Sequence, residues 1–206
     1  MELIPEGSYF DDLNNQGLSD RERDFFEIIA HVFNTIEFTN LELVKALDSN
    51  TPNVSEVAMS RVWSLIDSYY RLYKLLTKAP RIKKKAPFVQ KFVRKLADVE
   101  AIRNFHQHID NETDTLYNNN LPVLGHISWA KILDEGKRIQ IHVMIPCSLK
   151  DDMLTTGVNP LGLVARNKID FITYFINDLS INLADLAYAS FDFIRELEKF
   201  LAEGDE

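Results

Sequence analysis

A chain of 206 residues, with 46% hydrophobic and 26% charged residues, is long enough to bury the core of one domain, and this composition excludes a largely disordered protein. The net charge of −8 argues against a general nucleic-acid coat protein, and the single cysteine, Cys147, excludes an intrachain disulfide and a cysteine-based metal site. The first residues lack the basic and apolar regions of a signal peptide, and aspartates interrupt the apolar stretch 169–201. We therefore expect a cytoplasmic protein without a membrane span.

Helices are predicted for the first half of the chain, where apolar residues recur with the 3.6-residue period. Ser19 and Glu22 have the spacing of a capping box, so a first helix should begin after Ser19. A second helix is expected over about residues 55–77. Pro87 suits the first turn of a third helix, which should end near Asn111.

The second half of the chain first changes to an alternating pattern, which predicts a β-hairpin over about residues 123–146 with its turn at 134–137. A loop is expected at 155–167 and a final long helix at 168–201. The predicted fold class is mainly α: an antiparallel four- to five-helix bundle with a β-hairpin inserted before the last long helix, forming a single domain over 1–206.

One segment is strongly basic although the chain is acidic. From residue 71 to residue 97 there are ten cations and no acid. Such a segment can attract a polyanion, and the residues that we consider for nucleic-acid binding are Lys83, Lys84, Lys85, Lys91 and Arg94. The alternative is that the three consecutive lysines form a solvated loop between helices.

The six residues from Arg103 to His108 are the most informative stretch for chemistry, because they combine a cation, a carboxamide and two imidazoles. A guanidinium can hold a phosphate in a bidentate grip, and a histidine can move protons near neutral pH. These two groups suffice in principle to cleave RNA without a metal. The alternative is structural: Glu100 and Arg103 would form an ordinary helix ion pair, and His106 and His108 would complement the dipole of a helix end.

The spacing within this stretch carries a family resemblance. Arg103 is followed by the polar Asn104 and, five positions after the arginine, by His108, late in a predicted helix. This pattern resembles the HEPN superfamily of small helical-bundle proteins, many of which are ribonucleases of toxin–antitoxin and phage-defence systems. The segment from Arg61 to Trp129, about a third of the chain, is also similar to uncharacterised bacterial members of that group.

The resemblance implies a metal-independent endoribonuclease that needs no cofactor and works as a homodimer, with RNA as substrate and an antitoxin-like protein as a possible partner. His108 would carry a proton to or from the ribose 2′-hydroxyl, and Arg103 would stabilise the charge on the phosphate. Asn104 would orient the phosphate or the histidine by hydrogen bonding. Glu100 and His106 would support these groups, and His106 is the alternative proton carrier. The product would be a 2′,3′-cyclic phosphate.

The same spacing raises a geometric difficulty. On a regular helix, residues five positions apart point about 140° away from each other. Arg103 and His108 can therefore meet only if the helix is distorted between them or if a second protomer supplies one of the two groups. The second hypothesis for the whole chain is a catalytically inactive helical protein that binds a protein or nucleotide partner through its last helix or its hairpin.

Overall fold

The computed structural model describes residues 3–49, 53–119, 121–134, 138–146 and 165–203, and the backbone of 153–158. The helices are α1 (Asp20–Asp48), α2 (Val54–Leu76), α3 (Pro87–Lys95), α4 (Ala97–Gln107), α5 (Ile109–Asn118) and α6 (Leu183–Glu203). The strands are β1 (His126–Leu133), β2 (Arg138–Met144), β3 (Met153–Val158), β4 (Ile169–Ile176) and β5 (Leu179–Asn182). The predictions of a mainly α fold and of a β-hairpin before the last helix are confirmed.

The first two helices begin and end close to where the sequence predicts them. Ser19 caps α1 with the predicted capping box. The Ser19 hydroxyl accepts a hydrogen bond from the Glu22 backbone N–H, and the Glu22 carboxylate accepts one from the Ser19 backbone N–H. The helices α1 and α2 pack against each other through buried residues spaced three and four apart. This pairing provides the largest part of the helical core.

The predicted third helix is wrong as a continuous element, because the chain forms three shorter helices between Pro87 and Asn118. Leu96 separates α3 from α4, and His108 separates α4 from α5. The backbone of His108 has φ −117° and ψ 21°, outside the helical region, so the helix is interrupted there. Neither break is marked by proline or glycine, which explains why the periodicity alone did not reveal it.

The strands form one antiparallel sheet in the order β3-β2-β1-β4-β5. The predicted hairpin is its β1–β2 pair, and its turn residues 135–137 lie outside the described part of the chain. The prediction of a loop at 155–167 is wrong for 155–158, which belong to β3, while 159–164 are not described.

The prediction of a final helix from residue 168 is also wrong in its first half. Residues 169–182 form the hairpin of β4 and β5, and the helix begins only at Leu183. Ile172, Phe175 and Ile176 have a spacing that fits a helix, but the segment is rich in β-branched and aromatic residues, which favour strands. The turn between these strands contains Asn177 with a positive φ of 51°, a conformation that asparagine tolerates well.

Candidate active site at the α2–α4 interface

Arg103 lies on the face of α4 that packs against α2, and three neighbours hold its guanidinium. Its Nε donates a hydrogen bond to Asp67 Oδ1 at 3.2 Å, and its Nη1 donates to Gln107 Oε1 at 2.8 Å. The guanidinium also lies over the ring of Tyr70, 4.2 Å from the centroid. Because 24% of the side chain remains exposed, Arg103 is held in position yet open to solvent on one side.

The charges around Arg103 are paired differently from the sequence expectation. Glu100 accepts a hydrogen bond from Lys74 of α2 at 2.8 Å, and this bond raises the pKa of Lys74. The carboxylate that pairs with Arg103 is therefore that of Asp67, which also pairs with Arg71 at 2.7 Å. The α2–α4 surface thus carries three cations and two carboxylates, a small local excess of positive charge.

His106 points inward, away from this surface. Its Nε2 lies 2.8 Å from the Tyr174 hydroxyl of β4, and its ring centroid lies 5.1 Å from that of Trp63. The Tyr174 hydroxyl donates its single hydrogen to the Leu124 carbonyl at 2.9 Å, so we assign the proton between His106 and Tyr174 to Nε2. Burial lowers the pKa of His106 to about 4, so this imidazole is neutral at pH 7.

These contacts form a cluster around the buried Tyr174 side chain, which we call the Tyr174 hub: Trp63, His106, Leu124, Gly125 and Tyr174. Burial raises the pKa of Tyr174. Gly125 has φ +74°, and a Cβ atom there would clash with the Phe175 carbonyl oxygen and lie 2.7 Å from the Tyr174 hydroxyl. The hub joins α2 and α4 to the first residues of the sheet.

His108 and Asn104 lie in the opposite kind of environment. Both side chains are exposed, and His108 occupies the break between α4 and α5. Its backbone N–H donates to the Phe105 carbonyl at 3.2 Å, and its carbonyl accepts from the Asn111 N–H at 3.0 Å. In the described part of this single chain, no hydrogen bond joins the side chains of Arg103 and His108.

The basic residues considered for nucleic-acid binding are all exposed and lie outside α4: Lys83, Lys84 and Lys85 in the connector before α3, and Lys91 and Arg94 on α3. Lys83 lies over the ring of Phe200 in α6, with its ammonium 5.8 Å from the centroid, and Lys91 lines a groove beside α6. The structure thus brings two of these lysines to α6, whereas it brings Arg103 to α2.

The groups that hold Arg103 and His106 are not apparent from the sequence. Asp67 and Tyr70 are more than thirty residues before Arg103 and belong to another helix, so local spacing contains no signal for them. Tyr174 falls in the first half of the predicted final helix, which forms only from Leu183 onward. The sequence signal nearest to the hub is Gly125, because a glycine can mark a position where a Cβ atom would collide with its surroundings.

Searches for a metal site, for a membrane-spanning helix and for similar proteins assign no further function to the chain. Among the described residues, no group of three or more histidine, cysteine, aspartate or glutamate side chains could hold a metal ion. No helix in the same part of the chain has the length and apolar character needed to cross a membrane. Comparison of the chain with protein-family models, with curated proteins and with solved structures gives no match.

Proposed function

We propose that this protein is a HEPN-like, metal-independent endoribonuclease that acts as a homodimer, with Arg103 on the scissile phosphate and His108 as the proton carrier. The observation that carries the proposal is the contrast within one short segment. A guanidinium is held on an aromatic ring with one side open, and an exposed imidazole follows at a break in the same helical segment. Because α4 is continuous from Arg103 to Gln107, the helix itself turns the two side chains of one chain apart, so the proposed site combines Arg103 of one protomer with His108 of the other.

Arg103 keeps the donors that this role needs. A guanidinium has five N–H groups, and Asp67 and Gln107 each accept from one of them. The remaining N–H groups can bind two oxygens of a phosphate, as arginine does in bidentate contacts. The stacking on Tyr70 and the bond to Asp67 restrict the side chain in advance, which reduces the entropy lost when the phosphate binds.

The proposed reaction is an internal transfer at phosphorus. His108 accepts the proton of the ribose 2′-hydroxyl, and the 2′-oxygen attacks the adjacent phosphorus. The bond from phosphorus to the 5′-oxygen of the next nucleotide breaks, and that oxygen takes the proton from the His108 imidazolium, which leaves a 2′,3′-cyclic phosphate, a 5′-hydroxyl and neutral His108. Arg103 stabilises the charge that develops on the phosphate oxygens, and the exposed Asn104 beside it orients the phosphate. DNA is not cut because it lacks the 2′-hydroxyl.

His108 is the better candidate for the proton carrier than His106. His106 is half-buried and engaged by Tyr174, and its lowered pKa of about 4 makes it a weak base. A second protomer would bring its own Arg103 and His108 to the first pair, so the exposure of His108 fits a site completed by dimerisation.

The test is cleavage of single-stranded RNA by the purified protein in EDTA. We expect the wild type to produce 2′,3′-cyclic phosphate ends, and Arg103→Ala and His108→Ala each to reduce the rate by at least about 100-fold. The matched controls are Arg71→Ala, which removes the other arginine on Asp67, and His31→Ala, which removes an exposed histidine of α1. Cleavage that persists in both site variants, or is lost equally in both controls, would contradict the proposal.

The second candidate function is that of a catalytically inactive protein that binds a protein or nucleotide partner. It is favoured by two large apolar side chains of the β1–β2 hairpin that are exposed, Ile141 at 47% and Ile145 at 37%. This candidate is supported if the wild type cleaves no RNA but binds a partner, and if Ile141→Ser loses that partner while its melting temperature is unchanged.

A further inference from the structure

A half-enclosed groove of about 270 Å³ lies between α3 and α6, away from the α2–α4 surface. Its floor is aromatic. The rings of Phe92 and Phe193 are stacked with their centroids 4.3 Å apart, and Phe88 packs against Phe193 at 5.7 Å. Phe92 and Phe193 are each only 3% exposed, and the apolar surface open to a ligand is that of the half-buried Phe88 and Ala189. The groove has the size of a single amino acid.

The walls of this α3–α6 groove carry charges of opposite sign. Lys91 and Lys95 line it from α3, and Asp192 and Glu196 line it from α6. In the described part of the chain, none of these four side chains forms an ion pair with another, so both signs of charge face the open groove. A ligand with a single charge would meet repulsion from one wall, and nucleotide phosphates would lie close to several carboxylates.

One end of the groove is built by a buried carboxylate. Asp170 is only 3% exposed, and its Oδ2 accepts hydrogen bonds from the Arg166 backbone N–H at 2.7 Å and from the Tyr188 hydroxyl at 2.9 Å. The guanidinium of Arg166 lies over the Tyr188 ring, 4.3 Å from its centroid, and both side chains line the groove. Asp170 thus fixes the tyrosine on which Arg166 rests, which prepares this cation for a ligand before binding.

We propose that the α3–α6 groove binds a small zwitterion with an apolar body, of the class of free aromatic or branched-chain α-amino acids. Arg166 receives the carboxylate, because a guanidinium matches the two oxygens of that group. Asp192, which lines the same groove, receives the ammonium, and the side chain of the ligand lies on Phe88 and Ala189. This binding is independent of the proposed ribonuclease chemistry.

The experiment is calorimetric titration of the full chain with L-phenylalanine and, in parallel, with phenethylamine and 3-phenylpropionate. Each of the two analogues keeps the aromatic body and lacks one of the two charges. We expect saturable binding of L-phenylalanine with a dissociation constant of about 1 mM or lower. Both analogues should bind at least about tenfold more weakly, since each loses one charged hydrogen-bonded contact.

Variants locate the binding in the groove. Arg166→Ala and Asp192→Asn should each weaken L-phenylalanine by at least about tenfold. Lys199→Ala and Glu203→Gln, which remove an exposed cation and acid elsewhere on α6, should leave the affinity unchanged. The proposal is overturned if L-phenylalanine does not saturate the wild type in the millimolar range, if the singly charged analogues bind equally well, or if the two groove variants bind like the wild type.

Discussion

His106 and His108 are two positions apart, yet they belong to different parts of the molecule. His106 is packed between Trp63 and Tyr174, and its Nε2 is hydrogen bonded to the buried Tyr174 hydroxyl, whereas His108 is exposed at a helix break. The difference shows that adjacent members of one short pattern can serve separate purposes. In our account His106 stabilises the fold, and His108 is free for chemistry.

The two histidines lie at the same end of α4. The Tyr174 hub attaches this end to the sheet through the half-buried His106, and the exposed His108 follows two residues later. The exposed histidine therefore lies next to a part of the helix that the fold holds in place.

The largest expected effect concerns the exposed His108 and its pairing with Arg103 of a second protomer. If Arg103 of one protomer and His108 of the other form a common site, co-expressed Arg103→Ala and His108→Ala chains should regain activity. Random pairing makes half of the dimers mixed with one intact site each, so about a quarter of the wild-type rate should return. Each variant alone should remain at least about 100-fold impaired.

The control for this recovery is the Arg103→Ala chain co-expressed with the double variant that lacks both groups, because no intact site can form. Native mass spectrometry establishes that mixed dimers are present. Mixed dimers that show no recovery would mean that one chain provides both groups, and the shared site would be wrong.

The next effect concerns the Tyr174 hub. Gly125→Ala should destabilise the protein by about 3 kcal/mol or more, because alanine is strained at positive φ and its methyl group would collide with the sheet backbone and Tyr174. Gly17→Ala is the matched control: Gly17 also has a positive φ of 61°, but a Cβ atom there meets nothing within 4 Å. Its cost should be about 1 kcal/mol, the backbone strain alone. Urea unfolding measures both, and equal costs would contradict the tight packing of the hub.

A smaller effect is expected from pH. The folded-state pKa of His106, about 4, lies below its ordinary value of 6.5, so the unfolded chain binds more protons between these values. The stability that neutral His106 contributes is fully present above pH 6.5 and is lost as the pH falls towards 4, by about 2 kcal/mol. Burial lowers the pKa of His126 in the same direction, so the comparison must be made against a variant.

The variant is His106→Gln, which cannot titrate. Its unfolding free energy should change less between pH 6.5 and pH 4 than that of the wild type, while the contribution of His126 remains in both proteins. Identical pH profiles of the two proteins would show that His106 is not held neutral by the fold.

The sequence predicted the class of the fold because long amphipathic helices and an alternating hairpin leave strong periodic signals, as in α2 and in β1 with β2. It failed where two periods fit the same residues. Ile172, Phe175 and Ile176 suit either a helix or a strand, and the pairing of β4 with β1 decides between them. The break at His108 is likewise set by tertiary contacts.

The candidate site was predictable only as a set of residues. Local spacing identified Arg103 and His108, but it could not separate the exposed His108 from the half-buried His106, since both lie in the same predicted helix. The partners that make this distinction, Asp67, Tyr70 and Tyr174, are distant in sequence and are brought together by folding. That information is absent from any single segment.

The most direct test is to measure, for His108→Ala and His106→Gln side by side, the rate of RNA cleavage in EDTA and the melting temperature. Our account predicts that His108→Ala melts like the wild type and cuts at least about 100-fold more slowly, while His106→Gln melts at a lower temperature and still cuts below it. If His106→Gln abolishes cleavage in folded protein, or His108→Ala cuts at the wild-type rate, the assignment of the two histidines is wrong.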